Sequence, residues 1–204
     1  MTETPADGAA EPLAALKADL RRAALARRDR LAVEVRAAAA ERIADLVAGL
    51  DLAPRAIVAG FWPIRSEIDP RPAMVRLAAK GHSLVLPALL GDGVTMVFRR
   101  WMPGEPLVAA AFGLSEPPAT AAEVEPQVLL MPLAAFDDRG GRIGYGGGFY
   151  DRALERLERS HPVLRIGIAF STQRVDRVPE EVHDRRLDLI LTEEGPIMPR
   201  GDMP

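Results

Sequence analysis

The sequence predicts an α/β domain with a largely parallel sheet, helices flanking both faces, and a helical pair at the N-terminus. Three observations carry this expectation. Short β-branched runs alternate with helical stretches from residue 56 onward. Those runs are nearly unbroken in apolar residues, the pattern of strands buried on both faces. Residues 12–50 are instead dominated by Ala, Leu, Arg and Glu, all good helix formers.

Taken in chain order, residues 1–12 read as a disordered leader without the basic start of a secretory signal. Residues 13–195 make one domain, and residues 196–204 a flexible tail. Leu13, Leu16, Leu20 and Ala24 form one apolar stripe at helical spacing; Val35, Ala39, Ile43, Leu46 and Val47 form another. A break near residues 29–33 separates the two helices, and Gly49 closes the second. Residues 56–61 read as a buried strand, and Pro70 and Pro72 suit the first turn of a helix that stops at Gly81. A strand over 83–86 is stopped by Pro87, and Gly91-Asp92-Gly93 turns the chain into a third over 96–101. Residues 113–125, rich in Pro and Ala, read as a surface connection. Strands over 127–131, 165–170 and 187–192, with a helix over 149–159, complete the domain. Ligands of such sheets bind beyond the carboxyl ends of the strands, which points to the loops after Phe61, Met131 and Leu191.

Composition narrows the function. The 204 residues contain no cysteine, which removes disulfides, thiolate zinc sites and cysteine nucleophiles. A net charge of −3 argues against broad nucleic-acid binding, which needs a basic surface. Arg21, Arg22, Arg27, Arg28 and Arg30 are interspersed at helical spacing and read as a solvated helix face. No apolar run approaches the ~20 residues of a membrane span. His82, His161 and His183 are scattered without metal-ligand spacing.

The most informative stretch covers residues 136–151, between a strand and a helix. Gly144, Gly146, Gly147 and Gly148 let the backbone approach a ligand closely, with consecutive amides near the positive end of the following helix. Arg142 adds a planar cation suited to phosphate, and Asp151 an oxygen ligand for Mg²⁺. The loop has neither the Gly-Lys-Ser/Thr ending of a P-loop nor a natural Gly-x-Gly-x-x-Gly reading. On residue types alone, a phosphate site and a plain turn remain open, with Asp151 in the second case serving as a helix N-terminal charge.

The run Arg142-x-Gly144-x-Gly146-Gly147-Gly148-Phe149-Tyr150-Asp151, after Met131-Pro132 and Phe136-Asp137, resembles the signature of 5-formyltetrahydrofolate cyclo-ligases. Four further stretches resemble that family in the same order: Lys17-x-x-Leu20-Arg21; Glu67-Ile68-Asp69; Phe112-Gly113 with Glu116-Pro117; and His183-Asp184 with Leu187-Asp188 and Thr192. The likeness spans residues 13–194. It implies conversion of 5-formyltetrahydrofolate and ATP to 5,10-methenyltetrahydrofolate, ADP and phosphate through a phosphorylated formyl group. It also implies a three-layer layout similar to sugar-phosphate isomerases and coenzyme A transferases.

The resemblance assigns ATP contacts to Lys17, Ala18, Asp19, Leu20 and Arg21, and to Arg142, Ile143, Gly144, Tyr145, Gly146, Gly147, Gly148, Phe149 and Tyr150. It gives folate contacts to Arg21, Trp62, Glu67, Tyr145, Gly146, Gly147, Gly148 and Phe149, catalytic roles to Arg142, Tyr145 and Asp151, and Mg²⁺ to Asp151 and Asp188. The implied partners are the two substrates, with no nucleic acid and no membrane, in a cytoplasmic monomer. Each residue also has a plainer reading. Lys17 and Arg21 fit a solvated helix face, Trp62 the core, Glu67 a cap near Pro70, and Asp188 a turn. Asp137 and Asp138 read as turn residues; Met96 and Trp101 read as core, with Met96 and Phe98 also placed to line the cleft. Gly147 stands where many relatives carry lysine, and Phe149 replaces a frequent tyrosine. A non-catalytic ligand-binding relative and an isomerase-like enzyme are the competing functions.

Overall fold

The computed structural model describes residues 10–181 and 184–199. Helices α1 (Ala10–Asp29) and α2 (Val33–Ala48) meet at a short break. Helix α3 (Arg71–Ala79) starts with Pro72 in its first turn and ends before Gly81, whose φ of 88° suits glycine. Helix α4 (Phe149–Leu157) follows the glycine loop. The strands are β1 (Ile57–Ala59), β2 (Ser83–Leu89), β3 (Met96–Arg100), β4 (Val108–Ala109), β5 (Ser115–Glu116), β6 (Val128–Pro132), β7 (Ala135–Phe136), β8 (Arg142–Ile143), β9 (Leu164–Ile168), β10 (Leu189–Thr192) and β11 (Gly195–Ile197).

Seven strands form one sheet in the order β11-β10-β9-β6-β1-β2-β3. The five inner strands are parallel, and β3 and β11 close the edges antiparallel. This is the α/β architecture with a largely parallel sheet that the alternation predicts. Neighbouring residues of β6 separate the two cores. Leu130 joins Ile43, Val47, Met74 and Leu77 under α2 and α3, whereas Leu129 and Met131 join Leu154 and Leu157 under α4. Period-two side-chain alternation on a sheet covered on both faces yields this three-layer arrangement.

From β1 the chain winds to β2 on one side; from β6 it winds to β9 and β10 on the other. The direction reverses between β1 and β6, so a crevice opens beyond their carboxyl ends. Phe61 and Trp62 follow β1 there, and Met131 and Pro132 end β6.

Several expectations need correction. Pro87 does not stop β2, which continues to Leu89 and pairs Pro87 with Phe98 of β3. Strand β1 pairs only as far as Val85, so the missing proline N–H removes no ladder bond on that side. Residues 195–197, placed across the boundary of a flexible tail, form edge strand β11 through a Glu193-Glu194 turn. The small hairpin β7–β8 was not anticipated; its strands are two residues each, too short for a periodic signal. Within the 113–125 connection, Glu123 bridges to Arg99 and residues 122 and 124 hydrogen-bond along β3, covering that edge. Helix α1 begins inside the leader, at Ala10; residues 1–9 lie outside the described residues, as does His183.

At the amino ends of the parallel strands, Asp188 accepts from the Arg165 amide (2.8 Å), Nε (2.9 Å) and Nη2 (2.7 Å). The pair ties the entry of β10 to β9, and it holds the Arg165 guanidinium above its ordinary pKa through the Asp188 hydrogen bond. Asp188→Ala is expected to cost about 1.5 kcal/mol, lowering Tm by ~3–6 °C in a thermal melt; an unchanged Tm would remove this structural role.

Candidate active site

A cavity of about 670 Å³ lies at the crevice between β1 and β6. That volume suits a ligand of cofactor size. Its walls come from the β1–α3 segment, the ends of β2 and β6, one face of α1, and every residue from Arg142 to Asp151. Met96 lines it too, while Phe98 is buried in the core.

Helix geometry decides what α1 contributes. Lys17 and Arg21, one turn apart, face the cavity. Between them, Asp19 points to solvent in a surface pair with Arg22, Leu20 packs under the β7–β8 hairpin, and Ala18 does not line the cavity. Of residues 17–21, the structure therefore brings only the first and last to the site. The Lys17 Nζ donates to Glu181 Oε2 (2.7 Å) and Asp184 Oδ2 (2.6 Å). Burial opposes its charge, but these carboxylates more than offset it and hold the ammonium above its ordinary pKa.

The glycine loop has a backbone that only glycine adopts easily: φ is 97° at Gly146 and 62° at Gly148, the residue capping α4. Arg21 Nε donates to the Gly144 carbonyl (2.7 Å), and Arg152 Nη2 to that of Gly147 (2.8 Å). None of the five amides from Gly144 to Gly148 donates to an acceptor among the described residues. A Cβ at Gly147 would come within 2.4 Å of the Phe149 ring, so glycine at 147 and the packed ring at 149 belong together. Arg152 stands over the other side of that ring, 5.2 Å from its centroid.

The turn before the loop is fixed by Asp137, which is 1% exposed. Its Oδ1 accepts from the amides of Arg139 and Gly141, each at 2.9 Å, and its Oδ2 from Val178 at 2.8 Å. Asp138 pairs with Arg174. Both are turn residues, as expected.

The opposite wall carries Trp62 and Glu67. Trp62 is both core and cavity wall: it packs edge-on to Trp101 at 5.9 Å, lies under Arg71, and lines the cavity. Glu67 Oε2 accepts from the Ile64 amide at 2.8 Å, within its own loop rather than at the α3 N-terminus. Burial pushes its carboxyl above the usual carboxylate range, against the pull of that amide, the Tyr145 hydroxyl, Arg28 and Arg65. Tyr145 bridges the two walls. The residue is partly exposed, but its hydroxyl accepts from Arg28 Nη1 at 2.6 Å and lies within electrostatic reach of Glu67. Burial and then the Glu67 charge push that hydroxyl well above the ordinary tyrosine range, and the same two causes act on Tyr150.

Arg28 is the residue that sequence reasoning missed. Assigned to a solvated face, it is 1% exposed. Leu20, Ala24 and Arg28 continue one stripe at four-residue spacing, and that spacing was the available signal.

The donor set is also a test of Mg²⁺. Asp151 lines the cavity with one oxygen paired to Arg142 and a partly exposed carboxylate. Arg142 Nη1 is buried without a hydrogen-bond partner. Asp188, by contrast, sits at the other end of the strands in its pair with Arg165 and does not line the cavity. No cluster of three or more His, Cys, Asp or Glu suited to a metal occurs among the described residues. One carboxylate fits an ion held mainly by substrate phosphates and water, and Asp151, beside the glycine loop, could supply it. The Leu191 loop, the third place indicated by the strand ends, is absent from the cavity walls; there Glu193 instead accepts from Ser171.

No helix among the described residues is long and apolar enough to cross a membrane. The chain matches the 5-formyltetrahydrofolate cyclo-ligase family over residues 14–193. It is 33% identical to a 5-formyltetrahydrofolate cyclo-ligase of Mycolicibacterium smegmatis over 86% of this chain and 93% of that one. It is 33% identical to that of Escherichia coli over 66% and 76% of the two chains. Among solved structures, the 5,10-methenyltetrahydrofolate synthetase of Aquifex aeolicus superposes with a TM-score of 0.78 at 30% identity, covering 93% of this chain and 95% of that one. The Mycoplasma pneumoniae synthetase superposes at 0.68 and 27%, covering 87% and 98%. Nearly the whole length of the chain thus has a counterpart in one group of enzymes, and this chain belongs to the 5-formyltetrahydrofolate cyclo-ligase family.

Proposed function

We propose that the protein converts 5-formyltetrahydrofolate and ATP to 5,10-methenyltetrahydrofolate, ADP and phosphate. Family membership supports the reaction. The observation that supports its ATP-dependent form is the run of five amides, Gly144 to Gly148, left without acceptors among the described residues at the head of α4. Such a run is a cradle for phosphate oxygens.

A formyl group on nitrogen is amide-like, so its carbon is a poor electrophile and its oxygen a poor leaving group. The formyl oxygen attacks the γ-phosphorus, and the bond to the bridging oxygen breaks with its electron pair leaving on ADP. N10 then attacks the activated carbon and gives up its proton, and phosphate departs with the electrons of the carbon–oxygen bond. The protein's part is placement and charge stabilisation. The loop amides, Arg142 and Lys17 hold the phosphates. Trp62 offers a face to the pterin or benzoyl ring, and ionised Glu67 accepts pterin N–H donors. Asp151 would hold Mg²⁺ with the oxygen not given to Arg142; when bound with the nucleotide, the ion neutralises phosphate charge. Lys17 reaches phosphate by exchanging Glu181 and Asp184 for it. We expect the enzyme to act as a monomer in the cytoplasm.

Purified protein with Mg-ATP is expected to form the strongly absorbing methenyl product, and omission of ATP to abolish it. No product from folded protein would end the proposal. Asp151→Asn is expected to lose about 100-fold or more in kcat, whereas Asp188→Asn stays within about threefold, since its carboxylate stands at the far end of the sheet. Equal losses in the two variants would return Asp188 to the site.

The raised pKa of Glu67 gives a pH dependence with a definite sign. Above that pKa the carboxylate accepts from the pterin; as pH falls through it, protonation removes the acceptor and the folate KM climbs. The acid limb of kcat/KM for the folate is therefore expected above the ordinary carboxyl value of 4.5. Glu67→Gln is expected to flatten that limb while lowering kcat/KM about tenfold or more. A limb unchanged in the variant would assign the titration to another group.

A further inference from the structure

We propose that Arg28 is a positioning residue that latches the glycine loop to the folate side of the cavity by holding Tyr145 against Glu67. The inference rests on the reading above for its substrate and deepens it.

The guanidinium spans three segments. From α1, Nη1 donates to the Tyr145 hydroxyl at 2.6 Å and Nε to Ser66 Oγ at 3.0 Å. Ser66 in turn donates to Asp29, whose carboxyl that bond holds below its ordinary pKa, and the guanidinium lies 3.4 Å from the same carboxylate. Arg28 thus joins helix, loop and β1–α3 segment, and the Tyr145 hydroxyl it holds shares the cavity wall with Glu67. A fully buried arginine is costly to desolvate, and an apolar side chain would fill the same space without that cost. What the guanidinium adds is a rigid fork, with one arm for the loop and another for Ser66.

Tyr145 is the one residue with a side chain between Gly144 and Gly146. Its neighbours lack Cβ atoms, and Gly146 already adopts a φ of 97°, so backbone sterics do little to fix the tyrosine. The residue is 38% exposed. The hydroxyl's bond to Arg28 holds it. Without Arg28, Tyr145 swings outward and Glu67 loses both its hydroxyl neighbour and a nearby cation. Loop amides and Asp151 remain, so the defect falls on folate capture rather than on the chemical step.

The chain contains two tyrosines, Tyr145 and Tyr150, which makes ultraviolet titration a direct reporter that needs no substrate. The charged groups facing Tyr145 are Arg28 and Glu67; those facing Tyr150 are Glu67 and Arg142. In the parent protein Tyr145 is expected to stay protonated through the ordinary tyrosine range near about 10, whereas in Arg28→Met it ionises there, Tyr145→Phe identifying its signal. In turnover, Arg28→Met and Tyr145→Phe are each expected to raise the folate KM about tenfold with kcat within about threefold, and the double variant to be no worse than either single one. Tyr145→Phe removes only a hydroxyl, so it keeps the test open if Arg28→Met fails to fold. The latch is overturned if the tyrosines of folded Arg28→Met stay silent to about pH 11, if Tyr145→Phe leaves the folate KM unchanged, or if the two effects multiply. Absence of turnover in the parent protein would overturn the reaction instead, while the tyrosine titration would still judge the latch.

Discussion

The constraint on which this site depends is a stretch of backbone in which key carbonyls are occupied while its amides meet no acceptor among the described residues. Arg21 takes the Gly144 carbonyl and Arg152 that of Gly147. Because a peptide unit is planar and trans, fixing a carbonyl also fixes the following N–H in the opposite direction. The arginines thereby orient the amides of Tyr145 and Gly148 without consuming them. Glycine at 146 and 148 supplies the positive φ that the curve requires, and α4 begins where it ends. The donors are thus oriented before any ligand arrives, which is the condition for cheap electrostatic stabilisation.

The rest of the fold places partners around that stretch. Reversal of winding between β1 and β6 opens the crevice and brings Trp62 and Glu67 opposite the loop. Helix α1 leans across both walls, Lys17 and Arg21 at its open face and Arg28 at its buried end, so one helix touches both cavity walls and the loop between them. Through Arg28, Tyr145 of the loop is joined to Ser66 in the β1–α3 segment of the opposite wall.

Much of this was legible in the sequence because it rests on local signals. Strand and helix order followed from periodicity, and residues 142–151 all line the cavity because a glycine run after a strand has few other places to go. What the sequence concealed was tertiary. Pro87 continues a strand because β1 happens to end before it, a fact of neighbouring length rather than of local propensity. Asp188, placed with the metal by resemblance, is one residue before β10 at the amino end of a parallel strand, and strand direction alone separates it from the cavity. Arg28 looked like its exposed neighbours because composition marks arginine as surface; its stripe with Leu20 and Ala24 shows otherwise only once α1 has something to pack against. Within residues 17–21, helical phase separates Lys17 and Arg21 from the three residues between them.

The central claim is that the amides of residues 144–148 receive the nucleotide phosphates, and amide hydrogen exchange with and without Mg-ATP measures it residue by residue. The account requires exchange in that stretch to be fast in the free protein and markedly slowed by nucleotide. Unchanged exchange there, with protection appearing on another segment, would contradict it.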